Sequence, residues 1–494
     1  MTPRRARLVA LLVSAAVVAG ACSAAPAAAP PPGTGGTVAG TSMLDATPGT
    51  ASPDPRASYA PTTLDPTAAL EAASGSCPAA AGVAASGVAP APAPMASPVQ
   101  ATTTVPGTTT TIPTPTTALA DLLADPRVAG DTLSVSVYAD GIGEIIVHNP
   151  DTRLRPASNQ KLITAMGALA LLGPDERLHT DVVAAGPVVD GVLHGDLVLV
   201  AGGDPTLLRV GAPHSIDALA EQVRAAGITA VDGRLVVDAD RYDDQIANAG
   251  WPNDWLRNIG PLSALVLDRN MYRNDAAFLA DPALANGEVL RVGLAFRGVP
   301  VSGPTERGDV DEGVRVARLS SPTINDLVVQ TLFRSDNLYA ELLVKEIGHR
   351  ATGEPGTTAS GLARIRQLLT GLCVPVTSTD VDGSGLSYDN ARSAREFQAL
   401  LRAARVSPWG SLLWNDLPVA GTMGAFIGRL DGPLTTGRVR AKGGSLAVAR
   451  TLSGYATTLG GRQLTFSVLI NGGITTETEH AIDDFVTRLV QLRL

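Results

Sequence analysis

The chain has 494 residues, 38 basic and 47 acidic, for a net charge of −9. That length allows two or three domains, and the mild acidity supplies no basic field for nucleic acid. Aromatic residues at 4% exclude a stacking platform for bases, while 45% hydrophobic residues suffice for a sizeable core. Only three of the 38 basic residues are lysine: Lys161, Lys345 and Lys442. Arginine stays protonated in proteins, whereas a buried lysine can lose its proton and serve as a base. The places where an arginine-rich chain keeps lysine are therefore the first to inspect for chemistry.

Residues 1–25 read as a secretion signal. Arg4, Arg5 and Arg7 open it, and the apolar run from Leu8 to Val18 fits a signal core but is short for a membrane span. Ala19-Gly20-Ala21-Cys22 resembles a lipoprotein cleavage box, which would lipidate Cys22 and anchor the chain to the outer face of the membrane. Ordinary cleavage among the alanines is the competing reading. Residues 26–117 are dominated by Ala, Pro, Thr, Ser and Gly, with five charged residues and one aromatic, Tyr59. Such a segment lacks the apolar content to offset ordering entropy and is expected to be a disordered tether. With Cys22 set aside, Cys77 and Cys373 remain, either as a disulfide or as two thiols. No Cys/His spacing suggests zinc.

The folded body is expected from residue 118 onward. Leu119, Leu122 and Leu123 suggest a short helix. Alternation at Leu133, Val135, Val137 and at Ile145, Val147 suggests two antiparallel strands around Gly141–Gly143. Leu162, Ala165, Met166, Leu169 and Leu172 recur at helical spacing, so a helix is predicted from near Ser158 to Gly173-Pro174. From about Thr180 to Gly308 the pattern predicts short strands, including Leu197–Val200, Leu235–Val237 and Val289–Val292. Helical patterning resumes near Ser321. The last part predicts three strands, at Val439–Lys442, Leu446–Tyr455 and Leu464–Ile470, then a helix at Thr478–Leu492. The expected organisation is a catalytic α/β domain in two parts, 118–180 and 309–494, interrupted by a β-rich insertion, 181–308.

Lys161 stands three residues after Ser158, so on a helix the two side chains share a face. A serine hydroxyl needs an adjacent base to attack, and a lysine in a dry pocket can supply it. Ser335-Asp336-Asn337 offers a hydroxyl to relay a proton and an amide to hold a carbonyl, although all three residue types also cap helices. Lys442-Gly443-Gly444-Ser445 at the end of a strand offers a cation for a substrate anion, and its Ser445 N–H can join the Ser158 N–H as an oxyanion hole. The order S-x-x-K, S-x-N, K-x-G is the set found in penicillin-binding proteins and class A β-lactamases. Two of three lysines fall on motif positions. Lys345 is expected to be a solvated helix position. Asp238, Asp240, Asp243 and Asp244 read as a solvated loop in preference to a calcium site. Trp251, Trp255, Asp254 and Arg257 read as packing in preference to a glycan surface.

The body resembles the class C low-molecular-mass penicillin-binding proteins, the D-Ala-D-Ala carboxypeptidase/endopeptidase family. The resemblance rests on the segment from Pro156 to Ala165, Gly195-Asp196-Leu197, Gly202 to Thr206 and Pro261 to Leu265. It rests also on Ser335 to Glu341, Asp382 to Ser387 and Leu417 to Gly421. It implies a penicillin-binding, serine β-lactamase-like fold: an antiparallel sheet with helices on both faces. It also implies an acyl-enzyme on Ser158 with Lys161 as base, Ser335 and Asn337 as relay and substrate holder, and Lys442 as anion partner. Asp336, Gly444 and Ser445 would complete the substrate-binding set. The implied substrates are peptidoglycan D-Ala-D-Ala peptides, with β-lactams as covalent inhibitors and no metal or cofactor. One departure stands out: the family's third motif is usually Lys-Thr-Gly, and Gly443 replaces the threonine. Weakened acylation is expected from it; the alternatives are a catalytically weakened wall-binding homologue because of Gly443 and, from the shared motif set, a β-lactamase-like hydrolase, against which the inserted region argues.

Overall fold

The computed structural model describes residues 112–252, 254–255, 259–271, 280–309, 312–422 and 424–494. The signal, residues 26–111 of the expected tether, Cys22, Cys77 and Arg257 lie outside the described residues; the last tether residues are not disordered, since Thr114 caps a helix that begins at Pro115. Cys373 is disulfide-bonded.

The chain order explains how the site is built. Helix α1 (Pro115–Leu123) is capped by Thr114 and precedes strands β1 (Thr132–Ala139) and β2 (Gly143–His148), which pair antiparallel as expected. The predicted helix near Ser158 is two pieces: a 3-10 turn, Ala157–Gln160, and α2 (Lys161–Leu171). Strands β3 (Arg177–Ala185), β4 (Val188–Val189), β5 (Val192–Leu193) and β6 (Asp196–Val200) follow. Next come α3 (Ile216–Ala225), β7 (Ala230–Val231), β8 (Leu235–Asp238), α4 (Pro282–Phe296), β9 (Thr305–Arg307) and β10 (Val314–Thr323). Helices α5 (Ile324–Phe333), α6 (Asn337–Thr352), α7 (Thr358–Gly371), α8 (Ala394–Val406) and α9 (Gly410–Asp416) form the next run. The chain closes with β11 (Val439–Leu446), β12 (Ala449–Thr457), β13 (Gln463–Asn471) and α10 (Thr476–Gln491).

One five-stranded sheet has the order β11-β12-β13-β1-β2, with every neighbouring pair antiparallel. Its central strand β13 is buried from Leu464 to Ile470, so both faces are covered. On one face Phe466, Val468 and Leu452 pack with Ile482, Phe485 and Val486 of α10. On the other, Tyr455 and Leu469 join Phe397 and Leu401 of α8 and the apolar side of α2. Alternating side chains thus bind a helix layer on each side, as an antiparallel sheet buried on both faces requires. The expected α/β class holds. A second five-stranded sheet, β10-β3-β6-β8-β9, mixes antiparallel and parallel pairs.

Two expectations are corrected. Val289–Val292 is not a strand but the middle of α4. Asp281 caps Leu284 N–H at 2.9 Å and Pro282 occupies the first turn. That start signal, with Leu290 and Leu294 buried, outweighs the local β-propensity of two valines. Lys345 is not solvated: it is 1% exposed. Residues from Ala340 to Gly348 of α6 are all buried, so this helix has no water-facing side there. Lys345 Nζ is instead paired with the Asp243 carboxylate and donates to the Gln245 carbonyl at 3.2 Å.

Candidate active site

The turn that carries Ser158 is set by close backbone contacts. Ala157 adopts φ +47, a left-handed value that is sterically costly for a residue with a Cβ. Gly385, φ +81, lies so close that an added Cβ would stand 1.8 Å from the Ala157 carbonyl oxygen. The bend presents half-buried Ser158 at the head of α2. Asn159 Nδ2 donates to Ser453 Oγ at 2.6 Å, fixing the turn to the sheet.

Lys161 is fully buried, and its Nζ has three near neighbours. Ser158 Oγ lies at 3.1 Å, Asn337 Oδ1 at 2.7 Å and the Ser384 carbonyl oxygen at 2.6 Å. None of the three is a carboxylate. Burial therefore dominates and lowers the Lys161 pKa to about 8, against the pull of Asp382, Glu341 and Asp336. A lysine so tuned has a usable neutral fraction near neutral pH, as a general base needs.

Ser335 and Asn337 are brought beside it by the junction between α5 and α6. Ser335 has φ +56, and its Oγ accepts from Lys442 Nζ at 2.9 Å. Asn337 is the first residue of α6. Asp336 is occupied: it caps the Tyr339 N–H at 3.2 Å and forms a two-pronged ion pair with Arg269. Its carboxylate thus holds the helix start and a neighbouring loop. Arg269 belongs to a run of three residues, 268–270, with positive φ, pinned by buried Asn270 to the Pro261 carbonyl at 2.9 Å.

Lys442 lies inside β11, whose hairpin with β12 begins only after Leu446. Its Nζ also donates to the Gly443 carbonyl at 2.6 Å, and the side chain is 1% exposed. Burial first, then the Lys161 and Arg429 charges, push its pKa well below the ordinary lysine value. At Gly444 a Cβ would come within 2.9 Å of Ser158 N and of the Pro156 carbonyl oxygen. Only glycine lets β11 lie this close to the nucleophile. Ser445 follows on the same strand, exposed. The structure therefore forms two hydrogen-bonded groups, Ser158–Lys161–Asn337 and Ser335–Lys442, joined in sequence at the Ser335–Asn337 junction, with Gly444 against the Ser158 turn and Ser445 next along β11.

Several supporting residues were not singled out by the sequence. Glu341, wholly buried one turn beyond Asn337, accepts from the N–H groups of Gly383 and Ser384 at 3.1 and 2.8 Å. It thereby holds the peptide whose carbonyl meets Lys161. Burial, then Asp382, raise its pKa to about 8. Asp382 in turn accepts from Gly385 N at 2.7 Å, Ser387 N at 2.6 Å and Trp251 Nε1 at 2.9 Å. Trp251 packs against Trp255, their ring centroids 5.6 Å apart and tilted by 46°. An available signal was the isolated carboxylate of Glu341 among Leu338, Ala340, Leu342 and Leu343 on a helix face shared with Asn337. Of the aspartate group, Asp240 and Asp244 pair with Arg307. Among the described residues no cluster of three or more His, Cys, Asp or Glu is placed to hold a metal ion.

Comparison with known proteins bears on this arrangement. The model of the D-Ala-D-Ala carboxypeptidase 3 (S13) family matches residues 116–278 and 274–492. The chain is 30% identical over 435 residues to a D-alanyl-D-alanine carboxypeptidase from Actinomadura sp. (strain R39), covering 71% of this chain and 80% of that one. Its fold is similar to that of penicillin binding protein 4 from Haemophilus influenzae. The TM-score is 0.67 at 22% identity, over 75% of this chain and 98% of that one. A second structure of that protein, in complex with a β-lactam, gives a TM-score of 0.62 at 23% identity with the same coverage.

Proposed function

Since this chain belongs to the D-Ala-D-Ala carboxypeptidase 3 (S13) family, we propose that its serine hydrolase chemistry runs through an acyl-enzyme on Ser158. The substrate is a peptidoglycan stem peptide ending in D-Ala-D-Ala. The observation that carries this reading is the position of Lys161 Nζ, 3.1 Å from Ser158 Oγ and without a contacting carboxylate.

Neutral Lys161 takes the Ser158 proton as Oγ attacks the scissile carbonyl. The oxyanion forms against the Ser158 and Ser445 N–H groups, while Asn337 orients the substrate amide. The leaving D-Ala amine takes a proton through Ser335, which Lys442 resupplies at 2.9 Å. Water then attacks the acyl-enzyme, its proton passes to the same Ser–Lys group, and Ser158 is released. A β-lactam would enter the first half of the cycle and remain on Ser158, which fits the β-lactam complex of the Haemophilus protein. Asp336, Gly444 and Ser445 serve the pocket differently: Asp336 by fixing the Ser335–Asn337 junction, Gly444 by close approach, Ser445 through its N–H.

On composition we read residues 1–25 as an export signal, with Cys22 as the candidate lipid anchor, and residues 26–117 as a tether; residues 181–308 are read as an insertion, although the second sheet also takes in β3 from Arg177 and β10 to Thr323. No helix among the described residues is long and apolar enough to cross a membrane.

The decisive experiment is release of D-Ala from a tripeptide ending in D-Ala-D-Ala, paired with intact-mass detection of a penicillin adduct. The wild type is expected to do both and Ser158→Ala neither. Turnover of nitrocefin without D-Ala release would favour the β-lactamase-like alternative, and neither activity would favour the wall-binding one. Full activity in Ser158→Ala would overturn the mechanism.

A further inference from the structure

The substrate of this reaction ends in a carboxylate, and the strand position that would face it, 443, has no side chain. The carboxylate carbon lies three bonds beyond the scissile carbon, about the length of one Cα–Cα step of roughly 3.8 Å. Gly444 touches the Ser158 turn, so Gly443 and Ser445 are each one step along β11 from the reacting centre; Ser445 is already assigned to the oxyanion, which leaves Gly443 for the carboxylate. Lys442 is poorly placed to meet an anion there. It is 1% exposed, and its Nζ is directed to Ser335 Oγ and the Gly443 carbonyl.

A second cation lies beside the vacant position. A Cβ built on Gly443 would meet Arg429 Nη1 at 3.4 Å, the nearest heavy atom to it. The Arg429 guanidinium is held from the other side. Its Nε and Nη2 donate to Asp483 at 2.7 and 2.8 Å, and its Cζ lies 5.4 Å from the centroid of the buried Phe426 ring. Nη1 faces β11 and is also paired with the Glu479 carboxylate at 3.4 Å, so a substrate carboxylate would share it with Glu479. The Arg429 side chain is 15% exposed and Gly443 is half-buried, so neither is sealed from solvent.

We infer that Arg429 Nη1 binds the terminal carboxylate of the substrate over Gly443, doing for this chain what a side-chain hydroxyl at 443 would otherwise do. The inference rests on the acyl-enzyme reading above. A guanidinium N–H to carboxylate bond is charge-assisted, and a preoriented one favours ligands with a free C-terminus. Threonine at 443 would fit: its Cβ meets only ordinary contacts at 3.4 and 3.9 Å, and Gly443 has no left-handed φ. The glycine is therefore a site where contact with the anion has passed from strand to guanidinium.

The test compares kcat/KM on the D-Ala-D-Ala tripeptide with that on its C-terminal amide. Arg429→Gln should lower the value for the free acid by about 10- to 150-fold, the range of a charged hydrogen bond, and change the amide by less than about twofold. Gly443→Thr in that background should recover most of the loss on the acid alone. Arg429→Lys keeps a charge for Asp483 but lacks Nη1; it should show the same selective loss with the melting temperature held, which covers an Arg429→Gln that fails to fold. Equal losses on acid and amide, or no loss, would overturn the proposal while the wild type still forms its Ser158 adduct. A wild type inactive on both substrates, with no adduct, would instead remove the reading beneath it and this inference together.

Discussion

Two lysines border the same helix, α6, and are equally hidden from water. Lys161 meets its first residue, and Lys345 lies two turns further along it. Lys345 contacts a carboxylate, that of Asp243. Lys161 contacts a hydroxyl, an amide oxygen and a peptide oxygen, all neutral. The nearest acids to Lys161, Glu341 and Asp382, are turned to backbone N–H groups and act on it only at a distance. Burial by itself therefore does not make a base. At Lys161 burial is combined with a withheld carboxylate, so desolvation depresses the ammonium with no contact to restore it. The same residue type is a structural cation in one region and a proton acceptor in the other.

The comparison breaks most completely at Lys161. Lys161→Met keeps the stem volume and removes the amine, so penicillin acylation measured by intact mass should fall by about 10³-fold or more, the general-base contribution and its geometry going together. A persistent fast adduct would mean another base. A sharper version makes Lys161 resemble Lys345. Asn337→Asp is nearly isosteric and sets a carboxylate 2.7 Å from Nζ. The new charge should hold Lys161 protonated and slow acylation about 100-fold at pH 7, with partial recovery at high pH. Unchanged kinetics would show that the carboxylate-free surroundings are not what tunes the lysine.

The wild-type pH profile is the next largest effect. The group must be neutral to accept the Ser158 proton, and its pKa lies at about 8. The acylation rate should therefore rise with pH, gaining about tenfold between pH 7 and pH 9 and flattening above. A profile flat across this range would deny Lys161 the role of base. Glu341 titrates in the same window, so Glu341→Gln is informative: it keeps an acceptor for the Gly383 and Ser384 N–H groups and should move the midpoint downward, since a neighbouring negative charge has been removed.

These contrasts show what was legible in the chain before its fold. Ser158 and Lys161 were found because a three-residue spacing survives the change from α-helix to 3-10 turn. Lys442 was found because the chain uses lysine so rarely. The catalytic strands were legible since alternation at Leu133, Val135 and Val137 matches one buried face of a sheet. The burial of Lys345 was not, because its neighbours Leu342, Leu343 and Val344 already form a helix face and nothing local announces a second layer at 241–245. The strand expected at Val289–Val292 failed for a related reason: the Asp281-Pro282 start lies seven residues upstream of the valines. Glu341, Asp382 and Ser384 stood within segments that carried the family resemblance, yet their task is defined by hydrogen bonds between distant segments. Arg429 was hidden altogether, since its proximity to Gly443 arises from the fold of the 424–430 turn against α10.

The smallest effect on chemistry belongs to Lys345, and it is the one that tests the other half of the comparison. If its work is to match Asp243 within the joint between α6 and the 241–245 segment, removing it should cost stability and spare the reaction. Lys345→Met leaves Asp243, itself 21% exposed, able to take up water in part. The expected loss is thus below the full penalty for breaking a buried pair, about 1–3 kcal/mol in denaturant unfolding. The acylation rate per folded molecule should stay within about twofold, since Lys345 touches none of the reacting groups. Asp243→Asn added to Lys345→Met should return part of the stability, because the stranded carboxylate is then gone. A Lys345→Met protein with full stability but slowed acylation would reverse the assignment, making this second lysine part of the proton path and its carboxylate contact no mark of a purely structural role.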